Sequence, residues 1–175
     1  GDPASPDDAS LSDELCYRGS DGTNRIARLR ADATPPEIAS EVAGTLGDNG
    51  WYVSDVAVEW DVVDEESAIL WQVGCGALTV STNATRTLTC RAESSGGANA
   101  DSVTIKRDAT PPVIVGSASG LNAAGWSKSS VQVSFSCADA TSGVDFCSEP
   151  IVYANEVVNE TAPATARDRA GNSST

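Results

Sequence analysis

Between Val56 and Trp60 every second position carries a large apolar side chain: Val56, Val58 and Trp60 alternate with Ala57 and Glu59. A two-residue period is that of a strand with one face buried. The pattern returns at Val131, Val133 and Phe135. Further strands are predicted over residues 78–80, 85–89 and 102–106, and again over 151–153 and 162–167. Turn-forming clusters separate them, such as "SSGGAN" at 94–99 and "DRAGNSS" at 168–174. Short strands with turns at this spacing predict an all-β chain of the sandwich type.

The two alternating stretches belong to a repeat. "DATPP" begins at Asp32 and again at Asp108, 76 residues later, and Gly50–Trp51 matches Gly125–Trp126 at an offset of 75. In the same register Val56, Val58 and Trp60 align with Val131, Val133 and Phe135, and "DEESAI" at 64–69 lies opposite "DATSGV" at 139–144. One unit is written twice. The fold expected is two tandem Ig-like β-sandwich domains, residues 32–107 and 108–175, with residues 1–31 as an N-terminal extension. Each unit opens on a proline pair. Two prolines fix their own φ, remove two backbone donors and push Thr34 and Thr110 toward extended geometry. The expectation is a stiff connector that sets the angle between units and protects the entering edge strand.

Composition narrows the function. With 25 acidic and 11 basic residues the formal charge is −14, so a phosphate backbone would be repelled and nucleic acid is not expected as a partner. No run of about 18 apolar residues is present, so no membrane span is predicted, and no basic-plus-apolar leader opens the sequence. Five cysteines occur without histidine or a CxxC pair. That usage favours disulfides in an oxidising compartment over zinc, and hence secretion.

The order of "DATPPVI", "AGW", "VQVSFSCADATSGV", "DFCSEP" and "ARDRAGNSS" resembles the bacterial Ig-like repeats found in tandem in large secreted and surface-attached proteins, and residues 73–112 resemble a variant of the same repeat. The resemblance covers nearly all of 31–175 and implies an extracellular sandwich module with a structural or adhesive role and no known chemistry. The first unit departs from the pattern, with Val62 where the second has Cys137 and "SSGGAN" in place of "DRAGN". Taken unit by unit, Cys137 would pair with Cys147 and Cys75 with Cys90, each staple stabilising by about 2–3 kcal/mol. Cys16 is left over, to pair outside the chain, with another copy, or to remain a free thiol.

The stretch "LCYRGSDGTNRIARLRAD" at 15–32 repeats the order cysteine, turn, strand, Asp that closes the first unit. It resembles the last hairpin of a preceding sandwich. The second unit stops about nine residues short of where a third "DATPP" would begin at the same period, so its last strand is expected to be absent. A sandwich without an edge strand exposes backbone groups that an extended segment can pair with. Asn24, Arg25, Ile26, Ala27, Arg28, Leu29 and Arg30 of one subunit are therefore the expected strand donor to the next, giving a head-to-tail polymer. The alternative is a stretch of a longer tandem array whose neighbouring Ig-like domains supply the strands. Residues 1–14 are acidic and rich in Pro and Ser, a composition that does not fold alone.

Calcium is the cofactor weighed, on Asp32, Asp108, Asp139 and Asp168 at the junctions and turns; the alternative for such acids is solvated surface, with no cofactor. No Ser-His-Asp, Cys-His or SxxK frame is present, so no enzyme is expected. Adjacent acids such as Glu65 and Glu66 are read as solvated rather than as a glycosidase pair. Trp51 and Trp126 hold equivalent positions, which favours packing at the unit's end over a sugar platform. The function expected is a structural module of an extracellular surface protein, stalk or filament, the alternative being an adhesive or carbohydrate-binding Ig-like module.

Overall fold

The computed structural model describes residues 14–18, 20–28, 31–155, 157–158 and 160–175 of the chain, and for 14–18 and 24–28 only the backbone. Leu29 and Arg30 of the expected donor, and residues 1–13 of the acidic leader, lie outside the described residues. Among the described residues there is no helix, and all strands pair antiparallel. The first two, β1 (Glu14–Arg18) and β2 (Asn24–Arg28), form a hairpin that sets Cys16 opposite Ile26. The side chain of Cys16 is not among those described.

The first unit contributes β3 (Glu37–Ala43), β4 (Val56–Val63), β5 (Trp71–Val73), β6 (Leu78–Val80), β7 (Ala84–Ser94) and β8 (Gly97–Arg107). They form two three-stranded sheets, ordered β3-β4-β6 and β5-β7-β8. The second contributes β9 (Val113–Ser119), β10 (Val131–Ala138), β11 (Val144–Cys147), β12 (Ile151–Tyr153), β13 (Ala166–Asp168) and β14 (Ser173–Ser174), ordered β9-β10-β12 and β11-β13-β14. The order repeats strand for strand. So does the register: Val56 lies opposite Val80 as Val131 lies opposite Tyr153. The arrangement is all-β and fits the β-sandwich class.

The alternating valines do what their period predicts in the first unit. Val56 and Val58 of β4 are 0% exposed and pack with Val80 and Ile105, flanked by Val42, Tyr52, Trp60, Leu88 and Val103. Each such side chain contributes about 1.5–3 kcal/mol when fully buried. In the second unit the corresponding Val131 and Val133 are only half-buried, and the fully buried apolar residues are Ala166 and Ala170. The cause is strand length. The strand predicted over 162–167 is confined to Ala166–Asp168, and β14 has two residues where β8 has eleven, so among the described residues β10 has no cover equivalent to Val103 and Ile105.

Among the described residues two disulfides are present. Cys75 and Cys90 are joined at an S–S distance of 1.98 Å and tie the end of β5 to β7 within one sheet. Cys137 and Cys147 are joined at 2.06 Å and tie β10 to β11 across the two sheets of the second unit. Val62 stands in β4 where Cys137 stands in β10, so the first unit has no counterpart of that inter-sheet link. No described helix is long and apolar enough to cross a membrane.

A carboxylate latch at each diproline connector

Each connector begins with an aspartate that folds the chain back on itself. Asp32 Oδ1 accepts the Thr34 N–H at 3.2 Å, and Asp108 Oδ1 accepts the Thr110 N–H at 3.1 Å, the Asx geometry short acidic side chains favour. The prolines that follow are not a free hinge. Pro36 and Pro112 are buried, and their carbonyls accept the Asn99 amide at 2.8 Å and the Ser174 hydroxyl at 2.6 Å. The second proline is clamped under the closing hairpin of its own unit.

The second oxygen of each aspartate reaches across the unit. Asp32 Oδ2 accepts the hydroxyls of Ser67 and, at 3.1 Å, Ser94. Asp108 Oδ2 accepts the backbone N–H of Ser142 at 3.0 Å. The loop supplying these donors is itself tied by an acid at equivalent positions. Asp64 Oδ1 takes the N–H groups of Glu66 and Ser67, both at 2.8 Å, and Asp139 Oδ1 takes those of Thr141 and Gly143, at 3.1 and 2.8 Å. Glu66, in turn, accepts Ala33 N–H and Thr34 Oγ1 at 3.0 and 3.1 Å, so it serves the connector.

These donors set the acidity of the first latch. The Ser67 hydroxyl, first among several hydrogen bonds, holds Asp32 below its ordinary value, with burial opposing. Asp64 is also lowered, first by the Ser94 hydroxyl and then by the Ser67 N–H. Ser94 has one proton, and the hydrogen-bond geometry gives it to Asp32, while Asp64 Oδ2 is buried without a hydrogen-bond partner. The two acids compete for that proton.

The second latch differs most at the hairpin turn. Asp168 replaces Ser94 at the hairpin turn, and Asp108, Asp139 and Asp168 each place a carboxylate oxygen within 4.8 Å of the others. Asp108 and Asp168 are 0% and 1% exposed. Asn172 braces them, its N–H and amide donating to Asp168 at 2.8 Å each and the amide also to the Asp108 carbonyl at 3.0 Å. Of the four acids weighed for calcium, the fold thus gathers three and leaves Asp32 in the other latch. Three carboxylates so close repel one another, and carboxylate oxygens are the kind of ligand a hard divalent cation takes.

The latch at Asp108 is continuous with the joint between units. Tyr52 N–H donates to the Lys106 carbonyl at 2.8 Å and Asp108 N–H to the Tyr52 carbonyl at 2.9 Å, so the β3–β4 loop is laddered onto the chain entering the connector. From the other side, Asp48 N–H donates to the Ala170 carbonyl and the Asn49 amide to the Arg169 carbonyl, both at 2.9 Å. Asp48 also pairs with Arg167, half-exposed and so a modest contributor.

Two groups at this joint escape a reading by pattern. The Asn83 amide donates to Asp108 and Thr110 at 3.2 and 2.7 Å, and its oxygen accepts the Ala109 N–H at 3.1 Å and the Arg107 guanidinium. Arg107 also donates to the Ser54 carbonyl at 3.0 Å and pairs with Asp55 at 2.7 Å. Val158 stands where Asn83 stands, and Ala31 precedes Asp32 where Arg107 precedes Asp108, so the repeat carries no signal for them.

The equivalent tryptophans part ways. Trp51 lies beneath Lys106, whose ammonium is 5.3 Å from the ring centre, whereas Trp126 is 55% exposed beside an open cleft in the second unit. No protein-family model, curated protein or solved structure matches the chain.

Proposed function

We propose that the chain is a structural repeat module of an extracellular surface protein, stalk or filament, made of two tandem Ig-like sandwiches and performing no catalysis. The observation that supports this reading is the latched joint. A spacer holds its shape when its connection has one geometry, and here two prolines, a buried aspartate and three hydrogen-bonded elements converge on the connector. The two disulfides fit an oxidising compartment. Copies associate head to tail through the N-terminal strand. Electron microscopy of the native material tests this: elongated stalks or filaments are expected, and isolated compact particles would contradict it.

A second reading, an adhesive or carbohydrate-binding module, is favoured by one observation, the exposed Trp126 indole on the rim of a cleft. Binding of soluble glycans that is lost in Trp126→Ala would support it.

A further inference from the structure

We propose that the cleft of the second unit is an acceptor for a single β-strand, and that its occupant is residues 24–30 of a second copy of this chain. The proposal rests on the structural reading above and names the surface that reading needs. The first unit provides the template. There, Val56 and Val58 are sealed by Ile105 and Val103 of β8 and Leu88 of β7. Their counterparts Val131 and Val133 line, with Tyr153, Leu121, Trp126 and Val157, an open cleft of about 530 Å³. Counted back from the buried pair Ala92 and Ala166, Ala162 and Glu160 on its wall stand where Leu88 and Arg86 stand in β7. Among the described residues, 160–164 belong to no strand, while Thr165 exchanges hydrogen bonds with Ser148 beside β11.

The donor fits this site in pattern and in charge. Counted back from the repeated aspartate, Leu29 occupies the position of Ile105 and Ala27 that of Val103. Residues two apart face the same side of a strand, so both would point inward while Arg28 and Arg30 point out. Residues 24–30 carry three arginines and no acid; residues 155–166 carry Glu156 and Glu160 and no cation. β7, by contrast, carries Arg86 and Arg91.

Release of the donor is easy. Among the described residues β2 is paired with β1 alone, and an isolated two-stranded hairpin is marginal in water. Exchanging β1 for the edge along 160–164, just ahead of β13, lets the strand run antiparallel with its apolar face inward, one ladder bond short because Pro163 has no N–H. The joint itself would not be copied between molecules. Asn122 and Ala123 replace Gly47 and Asp48, and Glu93 and Gly96 replace Arg167 and Ala170, so the strand carries the association. Because donor and acceptor surfaces differ, the contact does not close on itself and propagates.

The test is sedimentation of the full chain over a range of concentrations, with and without a peptide of residues 22–32, and with Trp126 emission as reporter. Dimers and longer species are expected, dispersed by excess peptide, with a blue shift that Trp126→Phe removes. Leu29→Asp lies outside both units and should weaken association about tenfold or more, as expected for losing a buried leucine. Glu160→Arg should weaken it too, because it removes an acid from the edge that receives three arginines. A chain that stays monomeric and binds no peptide, or association indifferent to Leu29→Asp, would overturn the proposal. Native filaments that persist while the peptide fails to bind would overturn it and leave the stalk reading standing.

Discussion

The Asp48 N–H donates to the carbonyl oxygen of Ala170 at 2.9 Å, and a Cβ on the adjacent Gly47 would come within 2.3 Å of that same oxygen. Backbone on both sides leaves nothing to give way. Gly47→Ala is therefore expected to open the joint and cost about 1–3 kcal/mol, the range for overpacked sites. Gly76→Ala, where a Cβ meets nothing within 4 Å, should be close to neutral. Chemical denaturation of the two variants checks this, and equal effects would contradict it.

The disulfides should matter unequally. Closing loops of ten and fifteen residues is worth about 2.7 and about 3 kcal/mol on chain entropy alone. The first unit also has its buried Val56, Val58, Val80 and Ile105, whereas the second has two buried alanines. Under reduction, amide exchange should therefore accelerate first in β10 and β11. Earlier loss of β4 and β7 would show that the core difference is not decisive.

Acid should loosen the first latch. Asp32 and Asp64 are both lowered from an ordinary value of 3.8. A carboxyl depressed by folding contributes stability above its unfolded value and loses it as pH falls through the lower folded value. The melting midpoint should thus hold from about pH 7 to pH 5 and decline below about pH 4. Ser67→Ala removes the leading cause of the Asp32 shift, and its decline should be shallower. A decline of unchanged depth would contradict the assignment.

The second latch should respond to a divalent cation. Calcium at 100 times its dissociation constant would add about 2.7 kcal/mol to the folded state, read as a rise in melting midpoint that chelation reverses. Asp139→Asn removes one of the three carboxylates and should abolish the rise while relieving like-charge repulsion in calcium-free buffer. An unchanged midpoint across millimolar calcium would show that N–H donors alone satisfy the triad.

Periodicity made the strand at Val56–Trp60 and its copy at Val131–Phe135 legible, and the 75-residue offset marked them as copies of one unit, whose sheets share one order. Burial was not legible in the same way. Val58 and Val133 have identical surroundings in pattern, yet only the first has an Ile105 above it. The predicted strand at 162–167 shortened for the same reason, since a strand needs a partner as well as a propensity. At the latch, the aspartates were visible because they repeat. Asn83 and Asn172 were not visible, because an amide that reaches an acid far along the chain leaves no period to detect.

The measurement that bears most directly on the joint is a set of backbone residual dipolar couplings from the full chain, made monomeric by Leu29→Asp. A single alignment tensor of one magnitude should fit the amides of β3–β8 and of β9–β13 together. Two tensors of different magnitude would mean that the units reorient independently, and the rigid spacer account would fail.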